Sequence, residues 1–217
     1  MSLIAFGAVV LAALATFIDA PVASYAAAMP GFVFHTLAAI TDIGLTKWYW
    51  QPALVLFLVL GLLDFQRLQP HRRFLLERIY LQAGFVLAAI ALAHMPVNAL
   101  KYLVGRTRPT LLAEVGAFAF KPLTGGDLHA SFPSGHSATC GVIAMVLALW
   151  FPRWSVPILL AGGVLAVSRI AAEAHFASDV VAGFSIGALS ALALARWLAA
   201  RGVSFAASAD RIAPRVT

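Results

Sequence analysis

The chain has 217 residues, of which 62% are hydrophobic and only 11% charged, and its mean hydropathy is +0.91. A soluble domain is about half apolar and about a quarter charged, so this composition excludes an ordinary soluble globular protein and points to a polytopic membrane protein. The formal charge of +6, from 15 Lys and Arg against 9 Asp and Glu, gathers at the ends of apolar runs, where it speaks for membrane orientation and an anionic ligand rather than nucleic acid.

Short connections between the runs argue for one domain over 1–217. Ser2 to Ile18 is nearly a full span, and no Lys or Arg precedes it, so a retained first helix is expected rather than a cleaved signal peptide. Asp19 and Pro21 end it. After the break at Pro30-Gly31, Phe32, Phe34, His35, Leu37, Ala38 and Ile40 suit a short helix lying in the interface, with His35 a polar rim residue. Trp48 to Leu63 is the second apolar run, opened by the aromatic belt Trp48, Tyr49 and Trp50. A basic loop, Asp64 to Arg78, leads to the third run, Ile79 to Leu103, which Pro96 should kink. His94 and Asn98 in that run are expected to be a hydrogen-bonded interior pair.

Gly105 to Ser131 is longer than a plain connection between neighbouring helices, as binding loops and disordered connections both are. The fourth run, Ser134 to Phe151, carries the single cysteine, Cys140, expected to be a small core residue. The fifth begins at Val156 and ends near Arg169, and the sixth, Asp179 to Leu198, contains the close-packing pattern Gly183-x-x-x-Gly187. Arg201 to Thr217 reads as a polar basic tail. The fold class expected is all-α, six transmembrane helices in one bundle. The 64–78 loop, Arg153 and the tail with Arg196, Arg201, Arg211 and Arg215 should be cytoplasmic. Three polar islands then fall together at the outer helix ends.

Those islands are Lys101 to Arg108-Pro109, Pro133-Ser134-Gly135-His136, and Ser168-Arg169 to His175 and Asp179. Charge beside long apolar runs is expensive and usually functional. Lys101 and Arg108 are seven apart, two helical turns or about 10 Å on one face, with Pro109 stopping the helix there. Arg offers a planar fork matched to phosphate oxygens and Lys a compact charge. His175 and Asp179 are four apart, so the carboxylate can accept from one imidazole nitrogen and leave the other free to attack phosphorus. Ser134-Gly135, opening a helix, would aim backbone N–H groups at an anion, and His136 in the same turn could protonate a leaving oxygen. For any one such residue, a snorkelling anchor is the plain alternative. A metal site built from His136, His175, Asp179 and His129 is the chemical rival, but no recognised ligand spacing is present.

The three islands resemble the type 2 phosphatidic acid phosphatase (PAP2) superfamily, whose motifs have the form KxxxxxxRP, PSGH and SRxxxxxHxxxD. Order and internal spacing match over roughly Asp42 to Leu198, whereas the first 40 residues match only in general layout. The resemblance implies that His175 is the nucleophile of a phosphohistidine intermediate, with Asp179 its partner and His136 the general acid. It implies that Lys101, Arg108 and Arg169 hold the phosphate, that Ser134 and Gly135 add hydrogen bonds, and that no metal or other cofactor is needed. The family's soluble acid phosphatases and vanadium haloperoxidases are disfavoured by the six apolar runs.

The expectation is an integral membrane phosphatase acting on a lipid phosphate or diphosphate at the outer face of a bacterial-type inner membrane. Candidate substrates are undecaprenyl diphosphate, phosphatidylglycerophosphate, phosphatidic acid and lipid A 1-phosphate, and the expected partners are this lipid and membrane lipids, not nucleic acid. A phosphotransferase using the same intermediate is the near alternative. A non-catalytic lipid-binding or transport protein is the distant one, disfavoured because Lys101, Arg108, Arg169, His136, His175 and Asp179 are all intact.

Overall fold

The computed structural model describes residues 3–208 and 211–214. Arg215 of the expected tail lies outside the described residues. The helices are α1 (Leu3–Phe17), α2 (Asp19–Ala27), α3 (Gly31–Thr41), α4 (Lys47–Gly61), α5 (Pro70–Val104), α6 (Leu112–Val115), α7 (Gly135–Trp150), α8 (Ser155–Ala171) and α9 (Ala177–Ala200). The apolar runs all become helix, yet the spans are not six equal crossings. His35–Gly61, Pro70–Val104, Pro152–Ala171 and Ala177–Ala200 are each long and apolar enough to cross a membrane, and α1 with α2, bent by 48°, is a fifth candidate. The expected fourth span, α7, has only 16 residues, short of the roughly 20 that a bilayer core asks of a helix.

α7 is the buried centre, packed against α5, α8 and α9. Small residues make this possible. A side chain at Gly183 of α9 would stand 2.2 Å from the Ser134 carbonyl oxygen, and one at Gly187 would stand 2.0 Å from that of Ala138. The Gly183-x-x-x-Gly187 face therefore lets the two backbones touch, as the spacing predicts. Ala89, Ala93, Ala138, Ala191 and Ala195 are fully buried along the same contacts. Large apolar side chains point outward, among them Phe6, Leu62, Leu160, Val164 and Leu189. A bundle lined by small residues and coated by large apolar ones suits a lipid solvent.

Several sequence expectations are corrected. α3 leads through a 3-10 turn, Asp42–Gly44, toward α4, and its last turns fall within the candidate span His35–Gly61. The basic 64–78 segment is loop only to Gln69; Arg72, Arg73 and Arg78 already lie on α5, which opens with Pro70 at its first turn. Pro96 lies inside α5. The expected tail is partly folded: β1 (Phe205–Ser208) and β2 (Arg211–Pro214) pair antiparallel, and Phe205 is fully buried edge-on to Phe85 at 4.7 Å. Phe205 and Ile212 both pack on the main apolar cluster and anchor the segment. Cys140 is free and buried, as expected.

Candidate active site

α5 ends before Arg108. Gly105 takes a left-handed conformation, φ 59°, and accepts the Lys121 N–H on its carbonyl at 2.8 Å, so the helix stops at Val104. The expected helical face of Lys101 and Arg108 is thus replaced by a helix end and an extended strand of chain. The 105–131 loop then folds back on itself. Thr107 N–H donates to Ala119 O at 3.0 Å, Arg108 N–H to Leu128 O at 3.0 Å and Ser131 N–H to Arg106 O at 3.1 Å. These bonds bring Arg108 back toward Lys101. Lys101 Nζ donates to the Ala130 carbonyl, and Arg108 Nε to the Asp127 carbonyl at 2.6 Å.

Lys101, Arg108, Gly135, His136, Arg169 and His175 all line one cavity of about 430 Å³. Lys47, Lys101, Arg108 and Arg169 outnumber the one carboxylate of the lining, Asp127, and favour an anion there. Nε of Arg169 is buried with no hydrogen-bond partner among the described residues, a donor in want of an acceptor. Gly135 and His136 sit in the first turn of α7, where backbone N–H groups have no helical partner. Among the described residues, no group of three or more His, Cys, Asp or Glu is placed to hold a metal ion.

Ser134 does not line this cavity. It is fully buried and caps α7, its hydroxyl accepting from Ser137 N–H at 3.3 Å and Ser137 Oγ at 2.8 Å, while its own N–H donates to the Asp179 carbonyl at 3.0 Å. His94 also departs from expectation. Asn98 is exposed, and His94 Nε2 instead meets Thr139 Oγ1 of α7 at 3.0 Å, with Thr46 Oγ1 at 2.7 Å from the same hydroxyl. His94 therefore faces the cavity that Lys101 lines, two helical turns away along α5.

His175 lies in the turn between α8 and α9 and is only 3% exposed. Its Nδ1 is 2.7 Å from the Ser131 carbonyl oxygen. A carbonyl only accepts, so Nδ1 carries the proton. The ring is held neutral: burial, then the charges of Lys101, Arg169 and Arg108, push its pKa well below the ordinary 6.5. Nδ1–H with a neutral ring leaves the lone pair on Nε2. The direct Asp179–His175 bond expected from their spacing is not formed, since Oδ2 of Asp179 is 4.0 Å from Nδ1. That oxygen accepts instead from Ser131 Oγ at 2.6 Å and Phe176 N–H at 2.9 Å. Asp179 thus grips the residue whose carbonyl grips His175.

Two residues that the motifs did not single out complete the arrangement. Arg106 donates Nη1 to Asp179 Oδ1 at 2.8 Å and Nη2 to Asp19 Oδ2 at 2.9 Å; Asp19 is wholly buried and Arg106 3% exposed. From the sequence alone, Arg106 takes no role and Asp19 only that of a helix stop. The signal available in the sequence was an acidic residue at the edge of an apolar run with no basic neighbour. Removing Arg106 would strand two buried carboxylates, at a cost of about 3–5 kcal/mol.

A family profile described as the PAP2 superfamily matches residues 82–202. A lipid A 1-phosphatase of Rhizobium johnstonii is 31% identical over 194 residues, 88% of this chain and 78% of that protein. A lipid A 1-phosphatase of Rhizobium etli is also 31% identical, over 88% of this chain and 82% of its own length. Among solved structures, Aquifex aeolicus LpxE superposes with a TM-score of 0.58 at 21% identity, covering 82% of this chain and 95% of that one. A transmembrane PAP2-type phosphatidylglycerolphosphate phosphatase from Bacillus subtilis gives 0.61 at 20% identity, covering 89% and 92%.

Proposed function

This chain belongs to the PAP2 superfamily and is an integral membrane lipid phosphatase, and we propose that it removes a phosphate from a lipid through a phosphohistidine formed on Nε2 of His175. The tautomer carries this reading: Nδ1–H is committed to Ser131, so the free lone pair belongs to Nε2, and His175 lines the cationic cavity. Lys101, Arg108 and Arg169, with the N–H groups of Gly135 and His136, would hold the phosphate oxygens. Nε2 attacks phosphorus, the bond from phosphorus to the lipid oxygen breaks, and His136 gives that oxygen a proton. Water then attacks phosphorus as His136 takes its proton; the nitrogen–phosphorus bond breaks and inorganic phosphate leaves. Ser134 contributes by capping α7 rather than by touching phosphate. No step requires a metal.

Among lipid phosphates, lipid A 1-phosphate is the substrate class favoured, because relatives of that name align over most of both chains. An apolar groove of about 610 Å³ between α4, α5 and α7 supports a lipid substrate, since it begins at Trp48 and Tyr49, beside Lys47 of the phosphate cavity. Both termini would be cytoplasmic, with the cavity at the periplasmic face of the inner membrane and α7 completing a sixth crossing. Phosphate release from a panel of purified lipids tests the substrate. Lipid A 1-phosphate should be cleaved faster than phosphatidylglycerophosphate, phosphatidic acid or undecaprenyl diphosphate, and a reversed order would contradict the choice.

A further inference from the structure

Asp19 opens α2 far from the motifs in sequence, yet both its oxygens are spent around His175. Oδ1 accepts the Ser178 N–H at 2.8 Å, and Oδ2 accepts the Ser178 hydroxyl and Arg106 Nη2, the latter at 2.9 Å. Arg106 also donates to Ser178 Oγ at 2.8 Å, to Asp179 Oδ1 at 2.8 Å and to the Ala117 carbonyl, and its guanidinium lies 4.2 Å over the Phe176 ring. Residues 176, 178 and 179, which follow His175 directly, are thereby all tied to this set.

The charges do not cancel. One guanidinium stands between two carboxylates, Asp19 and Asp179, and none of the three lines the cavity. A simple Arg106–Asp179 pair would be neutral and would cost less to bury. The surplus negative charge faces the one neighbouring group that becomes cationic during the reaction. His175 Nδ1 is 4.0 Å from Asp179, and its ring gains a positive charge when Nε2 bonds phosphorus.

We propose that Asp19 is a positioning residue for the reaction: by sharing Arg106 it leaves the carboxylate of Asp179 uncompensated toward His175, stabilising the cationic ring of the phosphorylated state. The inference rests on the reading of His175 as nucleophile. It gives the N-terminal helix pair, outside the 82–202 family match, a part in the chemistry. Phosphate binding belongs to other residues, so Asp19 should affect the chemical step and not the capture of the anion.

The test uses the purified full-length enzyme in detergent with p-nitrophenyl phosphate, comparing Asp19→Asn, Asp19→Glu and His175→Ala with wild type. Asn keeps the shape and loses the charge. Asp19→Asn should lower kcat by about tenfold or more, with KM and competitive inhibition by inorganic phosphate changed less than about twofold. Orthovanadate, which bonds the nucleophile, should inhibit it more weakly, and Asp19→Glu should recover part of kcat. Wild-type kcat in Asp19→Asn beside an inactive His175→Ala overturns the inference alone. So does a loss in which KM and phosphate inhibition move together with kcat. If Asp19→Asn is not recovered folded, Ser178→Ala removes the hydroxyl linking Asp19 to Arg106 and should show the same split, wild-type kcat there being the contrary result. Activity persisting in His175→Ala overturns the nucleophile reading and this inference with it.

Discussion

His175 is held by a backbone carbonyl and not by its motif carboxylate: Nδ1 is 2.7 Å from Ser131 O and 4.0 Å from Asp179 Oδ2. The tautomer is therefore set by the end of the 105–131 loop, and Asp179 acts on the ring through charge and through its bond to the Ser131 hydroxyl.

That division predicts a moderate effect for Asp179→Asn. The Ser131 carbonyl still fixes Nδ1–H, so the loss should be electrostatic. We expect kcat to fall roughly 10²-fold, well short of the ~10⁴-fold that follows when a catalytic histidine takes the wrong tautomer. Steady-state kinetics on folded, purified variant decide it; a loss equal to that of His175→Ala would mean that the direct bond forms during turnover.

The acid limb of the pH profile should lie low. His175 must be neutral to attack, and its pKa is depressed by burial first and by Lys101, Arg169 and Arg108 next. Protonation, and with it loss of activity, therefore sets in only as pH falls below the ordinary 6.5 of an imidazole. An unperturbed histidine would be roughly three-quarters protonated at pH 6, whereas kcat/KM here should still be near its plateau once ionisation of the substrate is allowed for. An acid limb at or above 6.5 attributable to His175 would count against its burial beside the three cations.

Packing of α7 on α9 should be intolerant at one glycine and indifferent at another. A methyl group at Gly183 would meet the Ser134 carbonyl oxygen at 2.2 Å, whereas one at Gly163 meets nothing within 4 Å. Gly183→Ala should destabilise by about 1–3 kcal/mol and disturb the adjoining bond from Ser134 N–H to Asp179 O. Gly163→Ala, inside α8, should be neutral or slightly stabilising. Thermal unfolding in detergent compares the two, and equal stability would mean that the helices can separate without penalty.

Much of this was legible in advance because membrane helices and phosphate chemistry both write strongly in sequence. Long apolar runs marked the long helices, though not α2 or α6, and three polar islands marked the cavity that Lys101, Arg108, Arg169, His136 and His175 share. Local contacts were less readable. Spacing of four suggested that Asp179 would reach His175, but His175 lies before α9 begins at Ala177, so the helical register did not apply. Spacing of seven paired Lys101 with Arg108, yet Gly105 had already ended α5. Asp19 and Arg106 were missed because their partners are 87 residues apart and pairing at that distance leaves no local pattern.

The proposed topology makes a labelling prediction. Gln69 and Glu114 are both exposed and Cys140, the native cysteine, is buried. In intact cells a membrane-impermeant maleimide should label Glu114→Cys at once and Gln69→Cys only after permeabilisation. Labelling of both from one side would sink the proposed topology.

The most direct measurement is acid-labile phosphate on the protein after brief mixing with a labelled activated ester. Wild type should trap phosphate on a histidine, and His175→Ala should trap none, with turnover down roughly 10³-fold or more. His136→Ala should still trap it, since an activated leaving group needs no proton. Phosphate trapped in His175→Ala but not in His136→Ala would reverse the two roles. No trapping in any variant, wild type included, would replace the phosphohistidine with direct attack by water.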